Sequence, residues 1–250
     1  MTGDAPLPGE KAAKKAAKKA TEKAAKKAVK VTHLHRFSSS GHAAARFVAQ
    51  RVILKGVVWS VATVTVKGKE ALKDLKDPFI VVANHSSHLD APLITGALPR
   101  ARARYLAAGA AADYFFDVAW RRAATALFFN AFPVDRTGQG SRSGLAKELL
   151  GRGVPLLIFP QGGRSKDGTI GAFKPGAAVL SMNVGAPCVP VAIIGAADAM
   201  PPGRNWPVPG RPPVVVVFGE PMVAAPGETA AQFSARLHRT VLDLHAAHSA

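Results

Sequence analysis

Hydrophobic residues gather along this chain in short blocks, and the spacing within each block predicts its element. Ala62–Val66, Phe79–Ala83, Leu156–Phe159, Val189–Ile194 and Val214–Phe218 are rich in valine, isoleucine and leucine. Several of these blocks have no polar interruption, which is expected of strands covered on both faces of a sheet. Between them, Ala91–Leu98, Asp113–Asn130, Gly144–Gly151, Gly176–Val184 and Ala231–Ala246 carry helical patterns. Strands alternating with helices predict an α/β fold, a single domain over residues 61–250 with a largely parallel central sheet flanked by helices.

Upstream of that domain the pattern changes twice. Over residues 43–60, Phe47, Val48, Val52, Ile53, Val57, Val58 and Trp59 are punctuated by Arg46, Arg51 and Lys55. The apolar stretch falls far short of the roughly 20 residues that a spanning helix needs. It predicts a helix lying in the membrane interface, with snorkelling cations and Trp59 at headgroup depth. The other reading is an ordinary amphipathic helix on a soluble core. Residues 1–42 hold a Lys-Ala-Ala-Lys-Lys pattern with no large apolar residue between Lys11 and Val29. Such a segment cannot pack a core and predicts a basic tail, disordered or transiently helical.

Charge sharpens this picture. The 250 residues carry a formal net charge of +17. Residues 1–31 contain nine lysines against Asp4, Glu10 and Glu22, a balance of +6 that leaves +11 for the remainder. The folded part is therefore basic in its own right and suits anionic partners, among them phosphate esters, an anionic cofactor, nucleic acid or an anionic bilayer. The single cysteine, Cys188, excludes an internal disulfide framework and a Cys-based zinc site. The basic N-terminus has no apolar run behind it, so no secretory signal is expected and the setting is cytoplasmic. Six prolines, two glycines and Trp206 between Pro201 and Pro213 predict a stiff connector or a lid. His238, His245 and His248 fall on one C-terminal helix without ligand-spaced carboxylates, and are expected to face solvent.

Candidate chemistry begins at Phe79-Ile-Val-Val-Ala-Asn-His-Ser-Ser-His-Leu-Asp-Ala-Pro92. His85 and Asp90, five residues apart, would point about 140° away from each other on one continuous helix. They can meet at a strand-to-helix junction, and Pro92 belongs in a first helical turn. An imidazole steadied by a carboxylate, with no Ser or Cys nucleophile beside it, suits deprotonation of a substrate hydroxyl. Asp90 as a helix cap and His85 as a loop residue is the plainer alternative. Phe132-Pro-Val-Asp-Arg136 ends in a guanidinium that can grip a phosphate or pair with Asp135. Ile158-Phe-Pro-Gln-Gly-Gly-Arg-Ser165 runs from a strand into a glycine-rich turn able to converge N–H groups on an anion. Phe173-Lys-Pro-Gly then leads into a helix, and Lys174 can face the same anion. Neither a Gly-x-Ser-x-Gly elbow nor a Walker-type loop is present.

Taken together and in this order, Asn84–Asp90, Phe132–Arg136, Phe159–Ser165 and Val189–Ile193 resemble the four blocks of the phospholipid/glycerol acyltransferase family. That family includes lysophosphatidate and glycerol-3-phosphate acyltransferases, and the resemblance spans approximately Val64 to Pro221. It implies that His85 is the general base and Asp90 its partner. Arg136, Gln161, Gly162, Gly163, Arg164, Ser165 and Lys174 become the substrate-binding set. The implied donor is acyl-CoA or an acyl-carrier protein, and the first-choice acceptor is 1-acylglycerol-3-phosphate, giving phosphatidate. Glycerol-3-phosphate or a glycolipid are alternative acceptors, and a noncatalytic lipid- or DNA-binding protein is the rival class. No metal or bound cofactor is implied, and nucleic acid is not the expected partner. The expected location is the cytoplasmic face of the cell membrane, peripheral or monotopic, with the tail and the interfacial helix on the anionic surface. The third block departs from the family at Gln161 and Gly163, where Glu and Thr are usual.

Overall fold

The computed structural model describes residues 34–111, 127–134, 143–165, 167–204 and 206–249. A seven-stranded sheet forms the centre: β1 (Thr63–Lys67), β2 (Ile80–Ala83), β3 (Ala107–Ala111), β4 (Phe132–Val134), β5 (Leu156–Ile158), β6 (Cys188–Ile194) and β7 (Pro213–Phe218). Their spatial order is β1-β7-β6-β2-β5-β3-β4. Every pair is parallel except β6 with β7. The expected α/β class with a largely parallel sheet is what the chain adopts.

Both faces of the sheet are covered, which explains the uninterrupted apolar strands. All four residues of β2 are buried. Val81 and Ala83 join one cluster with Leu93, Ile94 and Leu98, contributed by the helix after the β2 turn and its end. Ile80 and Val82 join the opposite cluster with Leu149, Leu150, Ala178, Phe233 and Leu237. Each fully buried Leu, Ile or Phe contributes about 1.5–3 kcal/mol relative to exposure, so the two clusters hold the sheet between two helical layers.

The helices, in chain order, are α1 (Ser40–Phe47), α2 (Lys55–Val61), α3 (Asp90–Ala97), α4 (Ser143–Gly151), α5 (Gly176–Val184) and α6 (Ala230–Ala246), with helical turns at Arg100–Ala103 and Ala196–Ala199. A π-helical segment, Val48–Leu54, joins α1 to α2. Helix α6 opens with a reciprocal capping box between Thr229 and Gln232. Of the expected helix Asp113–Asn130, only residues 127–130 fall among those described, and 127–129 are helical.

Three expectations at the N-terminus meet a different arrangement. The packed chain begins at Leu34 rather than at residue 43, because 34–38 is helical and Leu34 and Phe37, three apart, reach the core. The cations do not snorkel outward. Arg46 is buried and donates to the carbonyls of Arg36 (3.1 Å) and Phe37 (3.5 Å). Arg51 donates to Gly96 O at 2.9 Å and also to Leu98 O, so a guanidinium caps the carbonyl end of α3. Trp59 turns inward, where a Cβ added at Gly96 would lie 2.7 Å from its ring, and Lys55 Nζ lies 4.9 Å from the ring centre. The outward face is left to Val48, Val52, Ile53 and Val57, all well exposed. Among the described residues no helix is long and apolar enough to cross a membrane.

Candidate active site

Strands β2, β5 and β6 are parallel neighbours, so their carboxyl ends open on one edge of the sheet, where α/β proteins place their clefts. The register sets Val82 beside Ile158 and Ala83 beside Val191. The segments leaving β2 and β5 are therefore brought against each other. Asn84 ends β2 by exchanging two hydrogen bonds with the backbone of Ile193: its Nδ2 donates to Ile193 O at 2.9 Å, and its Oδ1 accepts from Ile193 N–H at 2.8 Å. The chain then turns, and α3 begins at Asp90.

His85 and Asp90 meet across that turn. Nδ1 of His85 lies 2.7 Å from Oδ2 of Asp90. The same oxygen accepts the N–H groups of Ser86 (2.7 Å) and Ser87 (2.8 Å), so three donors converge on one atom. The carboxylate is completely buried, and its Oδ1 has no hydrogen-bond partner. A buried anion held this way fixes the tautomer: Nδ1 carries its proton toward the carboxylate, and Nε2 is left as the basic nitrogen. The histidine side chain retains 21 % exposure, and among the described residues Nε2 has no hydrogen-bond partner.

Four further contacts hold the imidazole and its turn in place. The ring stacks on Phe159, centroids 4.1 Å apart and planes 17° from parallel. The backbone N–H of His85 donates to Oε1 of Gln161 at 2.8 Å, and its carbonyl accepts from the N–H of Ser165 at 2.8 Å. Ser87 Oγ donates to Met200 O at 2.9 Å, tying the turn to the start of the proline-rich loop. Exposed Trp206 lies farther along that loop.

The glycine-rich turn stands beside the histidine. Gly162 adopts φ 79°, and a Cβ there would approach Lys174 Nζ to 3.0 Å, so a side chain is opposed both by the backbone and by the lysine lying over it. The N–H of Lys174 donates to Pro160 O at 2.9 Å, which anchors the lysine to the same turn. Arg164 is exposed. It acts on His88, whose pKa is pushed down by burial first, then by the charges of Arg164 and His85, with Asp90 opposing. Cationic groups therefore share one electrostatic neighbourhood with the dyad. Ser165 directs its hydroxyl to Asp167 at 3.0 Å, and Thr169 adds two more bonds to the same carboxylate. The Thr169 bonds first, and then the Ser165 bond, hold Asp167 down at about 2.

Of the candidate residues, His85, Asp90, Gln161, Gly162, Gly163, Arg164, Ser165 and Lys174 are thus gathered at the ends of β2 and β5. Arg136 lies outside the described residues. Sequence reasoning missed Phe159 as the stacking partner, Asn84 as the strand tie and the two serine N–H groups. Phe159 comes directly after Ile158, so strand pairing was the signal that could have found it. His238 is also not solvent-facing, since it packs on Phe173 (4.9 Å) and bonds Ile170 O at 3.1 Å. Among the described residues no three His, Cys, Asp or Glu side chains gather as a metal site.

The sequence profile of the family described as Acyltransferase matches residues 63–194, more than half of the chain and both strand ends that build the site. The chain belongs to the acyltransferase family. A 1-acyl-sn-glycerol-3-phosphate acyltransferase of Chlamydomonas reinhardtii is 30% identical over 156 residues, covering 61% of this chain and 45% of that protein. A chloroplastic one of Brassica napus is 29% identical over 143 residues, 56% of this chain and 40% of its own. The chain thus spans less than half the length of these curated relatives. The crystal structure of the 1-acyl-sn-glycerophosphate acyltransferase PlsC from Thermotoga maritima superposes with a TM-score of 0.61 at 28% identity, covering 79% of this chain and 81% of that one. Within an acyltransferase, the strand-end cleft is the place where a hydroxyl and an acyl carbonyl would be brought together.

Proposed function

We propose that this acyltransferase moves a fatty acyl group from a thioester, acyl-CoA or acyl-carrier protein, to the free hydroxyl of 1-acylglycerol-3-phosphate, forming phosphatidate. The single observation that carries the reading is the His85–Asp90 contact at 2.7 Å with Nε2 left unpartnered among the described residues. In this reading Nε2 takes the proton of the acceptor hydroxyl as its oxygen attacks the thioester carbonyl. The tetrahedral adduct collapses, the C–S bond breaks, and the departing thiolate recovers the proton from the imidazolium. Asp90 stabilises the imidazolium while it exists, and Phe159 keeps the ring plane fixed. A general base in position contributes typically 10²–10⁴-fold.

Arg164 and Lys174, beside the Gln161–Gly163 turn, supply positive charge for the acceptor's phosphate, and Arg136 belongs to the same set by its place in the second block. Gln161 keeps the hydrogen bond to the His85 backbone that a glutamate could also make, so its amide preserves the position of the base without adding a negative charge beside the phosphate. Lysophosphatidate is favoured as acceptor because the relatives are named for that activity. The outward row of Val48, Val52, Ile53 and Val57 supports work at a membrane surface, where both the acceptor and the product reside.

The test is release of free thiol from an acyl thioester in the presence of lysophosphatidate, glycerol-3-phosphate or a glycolipid. Release with lysophosphatidate, lost in His85→Ala, is the expected result. Equal release by the His85→Ala protein would overturn the assignment of the base, and response only to another acceptor would overturn the assignment of substrate.

A further inference from the structure

A cleft of about 300 Å³ lies between the α1–π segment and the turn Arg100–Ala103. Arg51, Arg100, Arg104 and Gln50 supply its polar lining, with Phe47 and Val48 beside them. It stands at the opposite end of α3 from the dyad. Asp90 opens that eight-residue helix, whereas Arg51 binds carbonyls of Gly96 and Leu98 at its close. A helix of that length spans about 12 Å, so the cleft is separate from the catalytic edge.

The lining is cationic without compensation. Among the described residues, no carboxylate pairs with Arg51, Arg100 or Arg104. Burial first, and then the charge of Arg100, lowers the pKa of Arg51, as expected of guanidinium groups sharing a confined space without a counter-ion. Arg100 lies over the Phe47 ring at 4.2 Å and Arg104 over the Tyr105 ring at 5.0 Å. Stacking fixes each guanidinium by its face and leaves the N–H edges for an acceptor, the geometry that suits phosphate oxygens. Val48 belongs both to the cleft and to the exposed apolar row that continues through Val52, Ile53 and Val57. A ligand seated here would have an anionic head against the arginines and apolar chains alongside those valines.

We propose that this cleft binds the phosphate of an anionic phospholipid headgroup, with Arg100 and Arg104 as the principal donors. The assignment rests on the membrane reading of the apolar row. It makes the cleft a second lipid site, which seats the protein on anionic bilayers independently of the acceptor bound at His85.

The full chain is tested by co-sedimentation with phosphatidylcholine vesicles and with the same vesicles containing phosphatidylglycerol. Arg100→Gln/Arg104→Gln is compared with Arg152→Gln/Arg239→Gln, an equal loss of charge at exposed positions away from the cleft. The expected result is a loss of about tenfold or more in affinity for the phosphatidylglycerol vesicles in the first double variant, against a few-fold or less in the second. Affinity for pure phosphatidylcholine should be unchanged in both. Equal losses in the two variants, or none in the first, would overturn the proposal. Inorganic phosphate is the remaining arm. If it releases wild-type protein from phosphatidylglycerol vesicles as completely as the Arg100/Arg104 substitutions do, a free phosphate is the ligand and the lipid assignment is overturned. Binding to phosphatidylglycerol that depends on Arg100 and Arg104, without any binding to phosphatidylcholine, would sink the apolar-row reading and uphold the cleft. No binding to either vesicle would overturn both.

Discussion

Along Asn84–Asp90 the polar groups are folded in and bonded, whereas along Val48–Val57 apolar side chains face out and the cations are folded in. Asp90 sits completely buried with three donors on one oxygen. Val52, with 62 % of its surface exposed, has little covering it among the described residues. The first arrangement is costly to build and needs no partner, because hydrogen bonds offset the desolvation of the charge. The second leaves apolar surface in water and is relieved only by something that covers it. The contrast teaches where each region acts: the junction on a substrate hydroxyl, the helix on a surface.

The largest effect expected is on the junction. His85→Ala should lower thioester-dependent acyl transfer by roughly 10²–10⁴-fold while leaving vesicle binding as it was. Asp90→Ala should cost stability as well as activity, about 2–4 kcal/mol, since the Ser86 and Ser87 N–H groups and His85 Nδ1 lose a buried acceptor. Chemical denaturation checks this, and an unchanged midpoint would show that the three bonds do not matter to folding. Gly96→Val tests the seam between the two regions. A side chain there meets the Trp59 ring, so a destabilisation of about 1–3 kcal/mol is expected by denaturant titration.

Val52→Asp/Ile53→Asp acts on the other side of the contrast. Both positions are exposed, so the melting temperature should hold while affinity for phosphatidylcholine vesicles falls about tenfold or more. A folded-state loss instead would mean that these residues pack against protein. The smallest effect is expected far from both regions, at Glu228. Its hydrogen bonds from Arg236 (2.9 and 2.6 Å) and from the Ala225 N–H lower its pKa to about 2 from an ordinary 4.5. A carboxylate depressed on folding contributes stability above its unfolded pKa and loses it as pH falls through the folded value. Glu228→Gln should therefore narrow its deficit against wild type between about pH 4.5 and about 2, read from melting temperatures across that range.

The central strands and the helices between them were legible because their signals are local. Expected Val214–Phe218 and observed Pro213–Phe218 differ by one residue, and Gly176–Val184 agrees at both ends. Strands β3 and β4 were not predicted. Ala107–Ala111 has little β-preference of its own and becomes a strand because β5 and β4 pair with it on either side. Strand β4 contains Pro133 and lies at the edge of the sheet, where a missing N–H is tolerated. The antiparallel turn of β7 onto β6 likewise has no local signature.

At the site, the His85–Asp90 meeting was readable from a strand end, a five-residue gap and a proline two residues beyond the acid. Gln161 and Phe159 were not readable as partners of His85, because the pairing of Val82 with Ile158 places them there across 76 residues of chain. The inward turn of Arg46, Arg51 and Trp59 was hidden for the same reason: carbonyls and a glycine from other elements receive them. Backbone stereochemistry and side-chain period act within a few residues, so local sequence alone settled most strands and helices and the acid–base pair at their junction. Which cations turn inward, which ring stiffens the imidazole and which apolar row stays bare depend on surfaces that touch only after the sheet has assembled.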